Sequence, residues 1–517
     1  MINRKKLFKI LLVMALLAPT LTFPLSDDLS TFIAGAKTII SGGKLYVDFI
    51  DIKSPMVFYI FSLIIKIFGY SEFGPRLFDF LYQLLTALFI YKITIKYTES
   101  ENISFFSAVF YSLTYTVFDL FNTLQIETLI ALPLILSIDF HLRKDKKLSS
   151  AIFLGICLGF IVSLKISLVF FAIGFIFDDI ISKRLTFLSL LKKYLITFSI
   201  LTVIFIISLF PLIDFQIYLG YKNVLTYLTY YTNLNINAIN NFYYWFLLIG
   251  SHFNRMYSKA FILITLISLY GIYKQKNNPL RSFYLTVCYL TIFGFLSIVL
   301  EHKFFDYHFA RIYIPLMIIC SSGFEIIRLK LFSMFINKSQ LYKSIVILSC
   351  FILLAISPFP KFLNSCSRTW DYFTNTYKYD SNFGNLKTGE SIRVQQKIVS
   401  DFLKNNIKNS DKIEIIKNGP NLIRFFVNKG NFNKFAHSAF YLCNFKIPNW
   451  QTVFLEEYKS ANWVVIQNND PNSFIFQYES SYKLISSNKV YKNILDSNFK
   501  QVMNTDNYFV FKSNKNN

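Results

Sequence analysis

Long apolar runs alternate with short polar segments over roughly the first 360 residues of the chain. Many of these runs approach the ~20 residues that a helix needs to cross a bilayer. The pattern predicts an α-helical polytopic membrane protein with about eleven spans. The predicted spans lie near 7–25, 76–95, 103–119, 126–141, 149–164, 166–181, 189–212, 259–273, 282–300, 309–326 and 344–358. An alternative for residues 150–177 is one long kinked element.

The apolar run 55–69 is too short to span and contains Lys66. If it lies on the membrane surface, every basic cluster between the spans falls on one side, as the positive-inside rule requires of the cytoplasmic face. We therefore predict an interfacial helix there. The cytoplasmic clusters are Lys92, Lys96, Arg143, Lys144, Lys146, Lys147, Lys183, Arg184, Lys192, Lys193, Lys274, Lys276, Arg281, Arg328, Lys330, Lys338 and Lys343.

This topology predicts a cytoplasmic N-terminus with an uncleaved first span, and an outer C-terminus. It also makes 26–75 a continuous first outer loop and places 213–258 outside. From about residue 359 the apolar runs shorten to strand length, as in 412–416, 461–466 and 508–512, while 394–405 has a helical pattern. We predict a transmembrane domain over 1–358 and an extracytoplasmic α/β domain over 359–517.

Composition agrees with a membrane protein rather than a nucleic-acid-binding one. The 517 residues are 54% hydrophobic and only 16% charged, well below the ~25% charged residues of soluble proteins. The formal net charge of +23 is explained by the basic clusters between spans, so no nucleic-acid partner is predicted.

Charged residues gather in the first outer loop, directly after an apolar span. Asp27 and Asp28 are adjacent, and Asp48, Asp51 and Lys53 follow within the same loop. Placing an ionisable group at membrane depth costs free energy, so such groups often mark functional sites. The alternative for the aspartate pair is a helix start, where Asp caps the first turn and suits the helix dipole.

The first loop resembles a known family. It reads D-D-x-x-x-F-x-x-x-A, then G-G-x-L-Y-x-D-x-x-D-x-K-x-P, then F-G and an arginine. This resembles the first outer loop of GT-C class glycosyltransferases, in the branch of protein O-mannosyltransferases and bacterial lipid A aminoarabinose transferases. The resemblance implies a multi-pass enzyme of the bacterial plasma (inner) membrane. Such an enzyme transfers a sugar from a polyprenyl-phosphate donor to a lipid, glycan or protein acceptor, in cell-envelope glycan biosynthesis.

The resemblance also implies an inverting transfer, in which a first-loop aspartate is the general base on the acceptor hydroxyl. Asp28 fits the spacing better than Asp27, which would then support it. Lys53 is the leading candidate to bind the donor phosphate, with Arg76 and Arg311 in reserve. For all three cations the alternative is contact with lipid headgroups.

Further residues are assigned to the acceptor or the pocket: Asp48, Asp51, Glu127, Lys165 and His308. The segment KFFDYHFARIYIP is similar to a late outer loop that typically reads F-x-H-Y, here with tyrosine and histidine reversed. His302 and His308, with Glu301 and Asp306, form a His/acid cluster whose spacing matches no firm metal motif. A structural or substrate-contact role is favoured there, and a divalent metal is left open as the one candidate cofactor.

Two other classes of function compete with a transferase. A transporter or flippase of lipid-linked glycans would place charges along the spans, whereas the candidate charges here gather on one face. A surface-polysaccharide polymerase or ligase would be expected to use outer arginines and histidine rather than an acid-rich first loop. The chain contains no Walker A, G-x-S-x-G, C-x-x-C or H-E-x-x-H motif.

Overall fold

The structure is a computed structural model that describes residues 4–143, 148–238, 249–251, 253, 258–274, 278–301, 304–337, 340–375, 387–388, 391–419, 421–443, 447–470 and 479–514. Predictions for Lys144, Lys146, Lys147, Lys276, His302, Lys338 and most of 239–257 therefore lie outside the described residues. The chain divides into two compact units. The first unit contains residues 1–23, 73–208 and 241–370, and the second contains 24–72, 209–240 and 371–517.

Helices make up the regular secondary structure in the described residues of the first unit. Its α-helices are Arg4–Leu17, Phe73–Thr98, Glu101–Val117, Ile126–Leu129, Ala131–Leu142, Leu148–Leu164, Phe170–Ser182, Phe187–Ser208, Ser258–Lys274, Asn278–Glu301, Tyr313–Asn337, Gln340–Ala355 and most of Phe359–Thr374. Short 3-10 helices cover Ala18–Thr22, Ile166–Val169 and Asp306–Ile312. Each predicted span coincides with helix, although 126–141 is two helices that meet at Ile130. The chain also breaks at Lys165, so 150–177 is not one element.

Several of these helices are suited to a membrane. Among the described residues, four helices are long and apolar enough to cross a bilayer, or up to six if two bent helix pairs each count as one span. The four are Phe73–Thr98, Phe187–Ser208, Leu280–Glu301 and Asp306–Ser333. The prediction of a mostly helical chain with several apolar helices is confirmed. The count of eleven spans stays a prediction.

The second unit combines the first loop with the C-terminal part of the chain. Its α-helices are Asp27–Ile40, Pro55–Phe68, Phe215–Ala238, Arg393–Asn406, Ile423–Val427, Ala439–Leu442, Pro448–Ser460, Ser481–Ser487 and Lys489–Asn498. Its strands are β1 (Lys387–Thr388), β2 (Ser391–Ile392), β3 (Lys412–Ile416), β4 (Asn431–Phe432), β5 (Trp463–Gln467), β6 (Phe499–Asn504) and β7 (Tyr508–Ser513). The segments predicted as strands, and the helix predicted at 394–405, are found as predicted. The domain boundary between 358 and 359 stays a prediction, while contacts group the first loop with the C-terminal part.

Five strands form one mixed sheet in the order β4-β3-β5-β7-β6. β3 pairs in parallel with β4 and β5, whereas β7 pairs antiparallel with β5 and β6. The central strand β5 is buried along its whole length, as expected of a strand covered on both faces. Trp463 and Val465 pack with Val399 and Leu403 on one face. On the other face, Val464 and Ile466 belong to a core cluster that also includes Phe49 and Phe58 of the first loop.

Local chemistry fixes the two helices of the first loop. The Ser26 side chain caps Asp27–Ile40 by accepting a hydrogen bond from the Leu29 N–H at 3.4 Å. Pro55 begins the second helix, where its missing N–H costs nothing, and Gly69 ends it with φ +88°. The helices pack closely because Gly35 has no Cβ, which would lie 2.4 Å from the Phe58 ring. At 14 residues, Pro55–Phe68 is about 21 Å long, shorter than a bilayer core. Its interfacial position stays a prediction.

Candidate functional site

The predicted site residues fall in both units of the chain. Asp27, Asp28, Asp48, Asp51 and Lys53 belong to the second unit. Arg76, Glu127, Lys165, His308 and Arg311 belong to the first. Within each unit the structure brings some of these residues together and gives others separate tasks.

Asp27 is held by side chains from the C-terminal part of the chain. Its carboxylate accepts a hydrogen bond from Gln396 Nε2 at 3.2 Å and lies 3.6 Å from Lys417 Nζ. Gln396 in turn accepts a hydrogen bond from the Leu422 N–H at 2.7 Å, which fixes the amide's orientation. Asp27 is also buried at the start of its helix, where the dipole favours negative charge. Asp27 is therefore a firmly positioned carboxylate.

Asp28 is half-buried and faces a different set of neighbours. Its charge acts on Asp51 and on the Tyr231 hydroxyl, and the Lys53 charge acts on both of these groups as well. Asp51 is only 3% exposed and accepts a hydrogen bond from the Lys53 N–H at 3.1 Å. Burial raises the pKa of Asp51 to about 6, against the opposing effect of Lys53, and the Asp28 charge adds to the increase. Asp28, Asp51 and Lys53 thus form one electrostatic group.

Two residues of this group were not anticipated from the sequence. Lys417 is buried beside Asp27, and the His437 ring stacks on Phe440 at 4.2 Å. Loss of hydration lowers the pKa of His437 to about 3, and the charges of Lys417 and Lys53 add to that effect. His437 is therefore neutral at physiological pH, with two lysines nearby. We call Asp27, Asp28, Asp51, Lys53, Lys417 and His437 the first-loop site.

Two of the predicted residues serve local structure instead. Asp48 is exposed, and its carboxylate accepts a hydrogen bond from the Lys44 N–H at 2.7 Å, which closes its own turn. Arg76 is completely buried in the first unit. Its guanidinium donates to the carbonyls of Phe23 and Leu120 and to the Thr123 hydroxyl, at 3.0, 3.3 and 2.8 Å. These contacts link three segments of the first unit, so Arg76 has a clear structural task.

The first unit holds a second group of charges, which we call the paired cluster: Glu127, Lys165, Glu301, His308 and Arg311. Lys165 Nζ lies 2.8 Å from Glu127 and 2.6 Å from Glu301. Arg311 Nη2 lies 2.9 Å from Glu127 and 2.7 Å from Glu301. Two cations therefore neutralise two carboxylates at short range. Arg311 also donates to the Ser297 carbonyl and hydroxyl, so its guanidinium is held on several sides.

The paired cluster contains three side chains that could together bind a metal. Ligand atoms of Glu127, Glu301 and His308 all lie within 4.8 Å of one another. A divalent ion between the carboxylates would, however, compete with the Lys165 ammonium, which already contacts both. His308 Nε2 lies 3.4 Å from the same ammonium. This donor set fits a resident metal poorly, because its negative charge is already matched by Lys165 and Arg311.

Comparisons with known proteins extend this picture. No curated protein matches the chain in sequence. Residues 52–210 match the family model described as dolichyl-phosphate-mannose-protein mannosyltransferase.

Similar folds are found among solved structures. One is ArnT from Cupriavidus metallidurans bound to undecaprenyl phosphate, with a TM-score of 0.59, 9% identity, and coverage of 98% of this chain and 96% of that one. Another is the oligosaccharyltransferase of Archaeoglobus fulgidus, with a TM-score of 0.55, 10% identity, and coverage of 89% and 69%. The resemblance to GT-C class enzymes inferred from the first loop is thereby confirmed, by a family match over part of the chain and by a shared fold.

Proposed function

We propose that this chain is a membrane glycosyltransferase. It transfers a sugar from a polyprenyl-phosphate donor to a lipid, glycan or protein acceptor on the outer face of a bacterial plasma membrane. About eleven spans and an extracytoplasmic α/β domain complete the proposed architecture. The match over 52–210 supports the reaction class. The fold shared with ArnT, which was solved with undecaprenyl phosphate, supports the donor class.

The observation that carries the proposal is the first-loop site. Asp28 is half-buried beside the buried Asp51 and the Lys53 charge, so a carboxylate and a cation lie in one group. A general base has to reach the acceptor hydroxyl, and the departing phosphate needs a nearby positive charge. Asp27 is fixed by Gln396 and Lys417, which suits a supporting carboxylate better than a base.

In the proposed reaction Asp28 removes the proton of the acceptor hydroxyl, whose oxygen attacks the anomeric carbon of the donor. The bond between that carbon and the phosphate oxygen breaks, the configuration inverts, and polyprenyl phosphate leaves with the bonding electron pair. Lys53 stabilises the phosphate charge, and Lys417 and neutral His437 are added as further candidates for phosphate contact. Arg76 and Arg311 remain less favoured candidates, because both have protein partners.

We assign the other predicted residues to the architecture of their own units, where Asp48 closes its own turn. Asp51 shapes the surroundings of Lys53, to which it is bound through the backbone. Glu127, Lys165 and His308 act together as the paired cluster.

The decisive experiment compares three aspartate substitutions in membrane vesicles that carry radiolabelled lipid-linked sugars. Asp28→Asn is expected to lower label transfer by about 10²- to 10⁴-fold, as for loss of a general base. Asp48→Asn is the matched control from the same loop, and it is expected to retain activity within a few-fold because Asp48 is exposed and closes only its own turn. Full activity in both Asp27→Asn and Asp28→Asn would falsify the assignment. If Asp27→Asn lowers label transfer more than Asp28→Asn does, Asp27 is the general base and Asp28 is the supporting carboxylate.

A further inference from the structure

The first unit contains a cavity of about 660 Å³ that the proposed reaction does not use. It lies among the helices Ala131–Leu142, Leu148–Leu164, Phe170–Ser182 and Phe187–Ser208. Four cations line it: Arg143, Arg184, Lys192 and Lys193. Asp179 is the carboxylate among its lining residues. A cavity of this size, with convergent charges of mostly one sign, suits an anionic ligand.

The positive charge around the cavity exceeds the negative charge. Asp139 is shared between Lys96 and Arg143, at 2.5 and 2.8 Å. Asp178 pairs with Arg184 at 3.1 Å, and Asp179 pairs with Lys193 at 2.6 Å. Lys192 is exposed and has no ion pair among the described residues. Among the described residues in and directly behind the lining, there are therefore five cations and three carboxylates. Arg184 Nε is buried without a hydrogen-bond partner in the described part of the chain.

The inner wall of the cavity is fixed by a buried hydrogen-bond network around His141. His141 Nε2 lies 2.8 Å from Asp178 Oδ2, and His141 Nδ1 lies 3.1 Å from Lys193 Nζ. One neutral tautomer satisfies both contacts: Nε2–H donates to the carboxylate, and Nδ1 accepts from the ammonium. Thr286 also donates to Asp178, at 2.5 Å. In this tautomer the histidine is neutral, so it leaves the excess of cations over carboxylates unchanged.

Apolar groups complete the lining and point to an amphiphilic ligand. Phe140, Leu148 and Ile196 line the cavity together with the cations. The helix Phe187–Ser208, which supplies Lys192 and Lys193, is a membrane-span candidate with only 17% of its apolar window buried. Its exposed face includes Leu188, Leu191 and Leu195. In a membrane that face would contact acyl chains, beside the cationic lining. A soluble anion would gain nothing from it.

We propose that this cavity binds the phosphate headgroup of an anionic phospholipid, with the start of an acyl chain against its apolar wall. The binding leaflet is the one facing the basic clusters, which the topology predicts to be cytoplasmic. Such a lipid would neutralise the excess charge and occupy space that protein atoms leave open.

The test measures lipid retained by the full-length protein. Purified protein is incubated with equal amounts of phosphatidylglycerol and phosphatidylcholine of identical acyl chains, and bound lipid is counted by native mass spectrometry. Wild type is expected to retain phosphatidylglycerol preferentially. Lys192→Gln and Arg143→Gln should each lower that preference by about fivefold, as expected for one cation at a lipid surface. Lys192 is chosen because it has no ion pair among the described residues, and Arg143 is chosen because Lys96 also pairs with its partner Asp139. Arg184 and Lys193 are left unchanged because they pair with the buried Asp178 and Asp179.

The matched control is Lys92→Gln, an exposed lysine of the same predicted side that does not line the cavity. It should leave the preference unchanged. If Lys92→Gln lowers it as much as Lys192→Gln does, the effect is general surface charge and the site is overturned. Displacement of bound lipid by millimolar glycerol phosphate would identify a soluble phosphate ligand, which also overturns the lipid assignment. If wild type retains phosphatidylglycerol and phosphatidylcholine equally, the proposed lipid site is also overturned.

Discussion

The paired cluster and the first-loop site contain similar residues but balance their charges differently. In the paired cluster, Lys165 and Arg311 each contact both Glu127 and Glu301 at 2.6–2.9 Å. In the first-loop site, the contact between Lys417 Nζ and Asp27 is longer, at 3.6 Å, and the Asp51 carboxylate accepts a hydrogen bond from the Lys53 N–H. In the first-loop site, loss of hydration lowers the pKa of His437 to about 3, and the charges of Lys417 and Lys53 add to that effect, so the ring is neutral.

This difference separates groups that hold the fold from groups that can act on a substrate. Charges that are mutually satisfied at short range would each lose a partner if they bound a ligand. A pair at longer range, such as Lys417 and Asp27 at 3.6 Å, loses less electrostatic energy when one member changes partner during a reaction. We therefore expect substitutions in the paired cluster to alter stability first, and substitutions in the first-loop site to alter activity first.

The largest effect on stability is expected for Arg311→Met. The change leaves the buried Glu127 and the partly buried Glu301 with Lys165 as their remaining cation of the paired cluster, and breaking a buried ion pair in this way costs about 3–5 kcal/mol. Thermal unfolding in detergent should show a clearly lower midpoint. Arg328→Met is the matched control on the next helix, Tyr313–Asn337, where a partly exposed pair with Glu325 at 2.6 Å is worth at most about 1 kcal/mol. Equal midpoints for the two variants would contradict the distinction between the regions.

A smaller effect, in activity rather than stability, is expected for Lys53→Gln. Loss of one charge-assisted contact to the donor phosphate should lower kcat/KM by about 10- to 100-fold, or roughly 1.5–3 kcal/mol. The unfolding midpoint should change little, because Lys53 is half-buried. Lys66→Gln, an exposed lysine on the neighbouring helix Pro55–Phe68, is the control. If Lys66→Gln lowers kcat/KM equally, Lys53 acts only through general surface charge.

Asp51 allows a pH-dependent test of the first-loop site. Its folded-state pKa of about 6 lies above the value of an unfolded chain, so burial favours the protonated form. The stabilisation is present below about pH 4 and is lost as the pH rises through 6. Relative to Asp51→Asn, wild type should therefore lose about 2 kcal/mol of unfolding free energy between pH 4 and pH 8. Unfolding curves of both proteins across that range provide the measurement. A difference that does not vary with pH would contradict the burial of an ionisable Asp51.

The sequence predicted most helices and several strands because periodicity and run length report local structure. It also predicted Asp27, Asp28 and Lys53 as site residues, because their spacing within one loop forms a recognisable motif. It could not predict that Lys417 and His437 join them, because those residues are more than 360 positions away and carry no motif of their own. Nor could it distinguish Arg76 from a ligand-binding arginine. Arg76 donates hydrogen bonds to the backbone carbonyls of Phe23 and Leu120. Every residue has such a carbonyl, so these contacts cannot be recognised from the sequence.

The smallest effect is expected when Glu127→Gln is compared with wild type for metal binding, because the paired cluster of wild type should bind no divalent ion. Lys165 Nζ already contacts both carboxylates, so a divalent ion would have to displace it. Electron paramagnetic resonance of added Mn²⁺ should therefore report equal binding by wild type and Glu127→Gln. In Lys165→Met the competing ammonium is removed, while Glu127, Glu301 and His308 keep ligand atoms within 4.8 Å, so a new Mn²⁺ site is expected to form. If Glu127→Gln binds less Mn²⁺ than wild type, the cluster holds a metal despite Lys165, and its short ion pairs would then be a competing state.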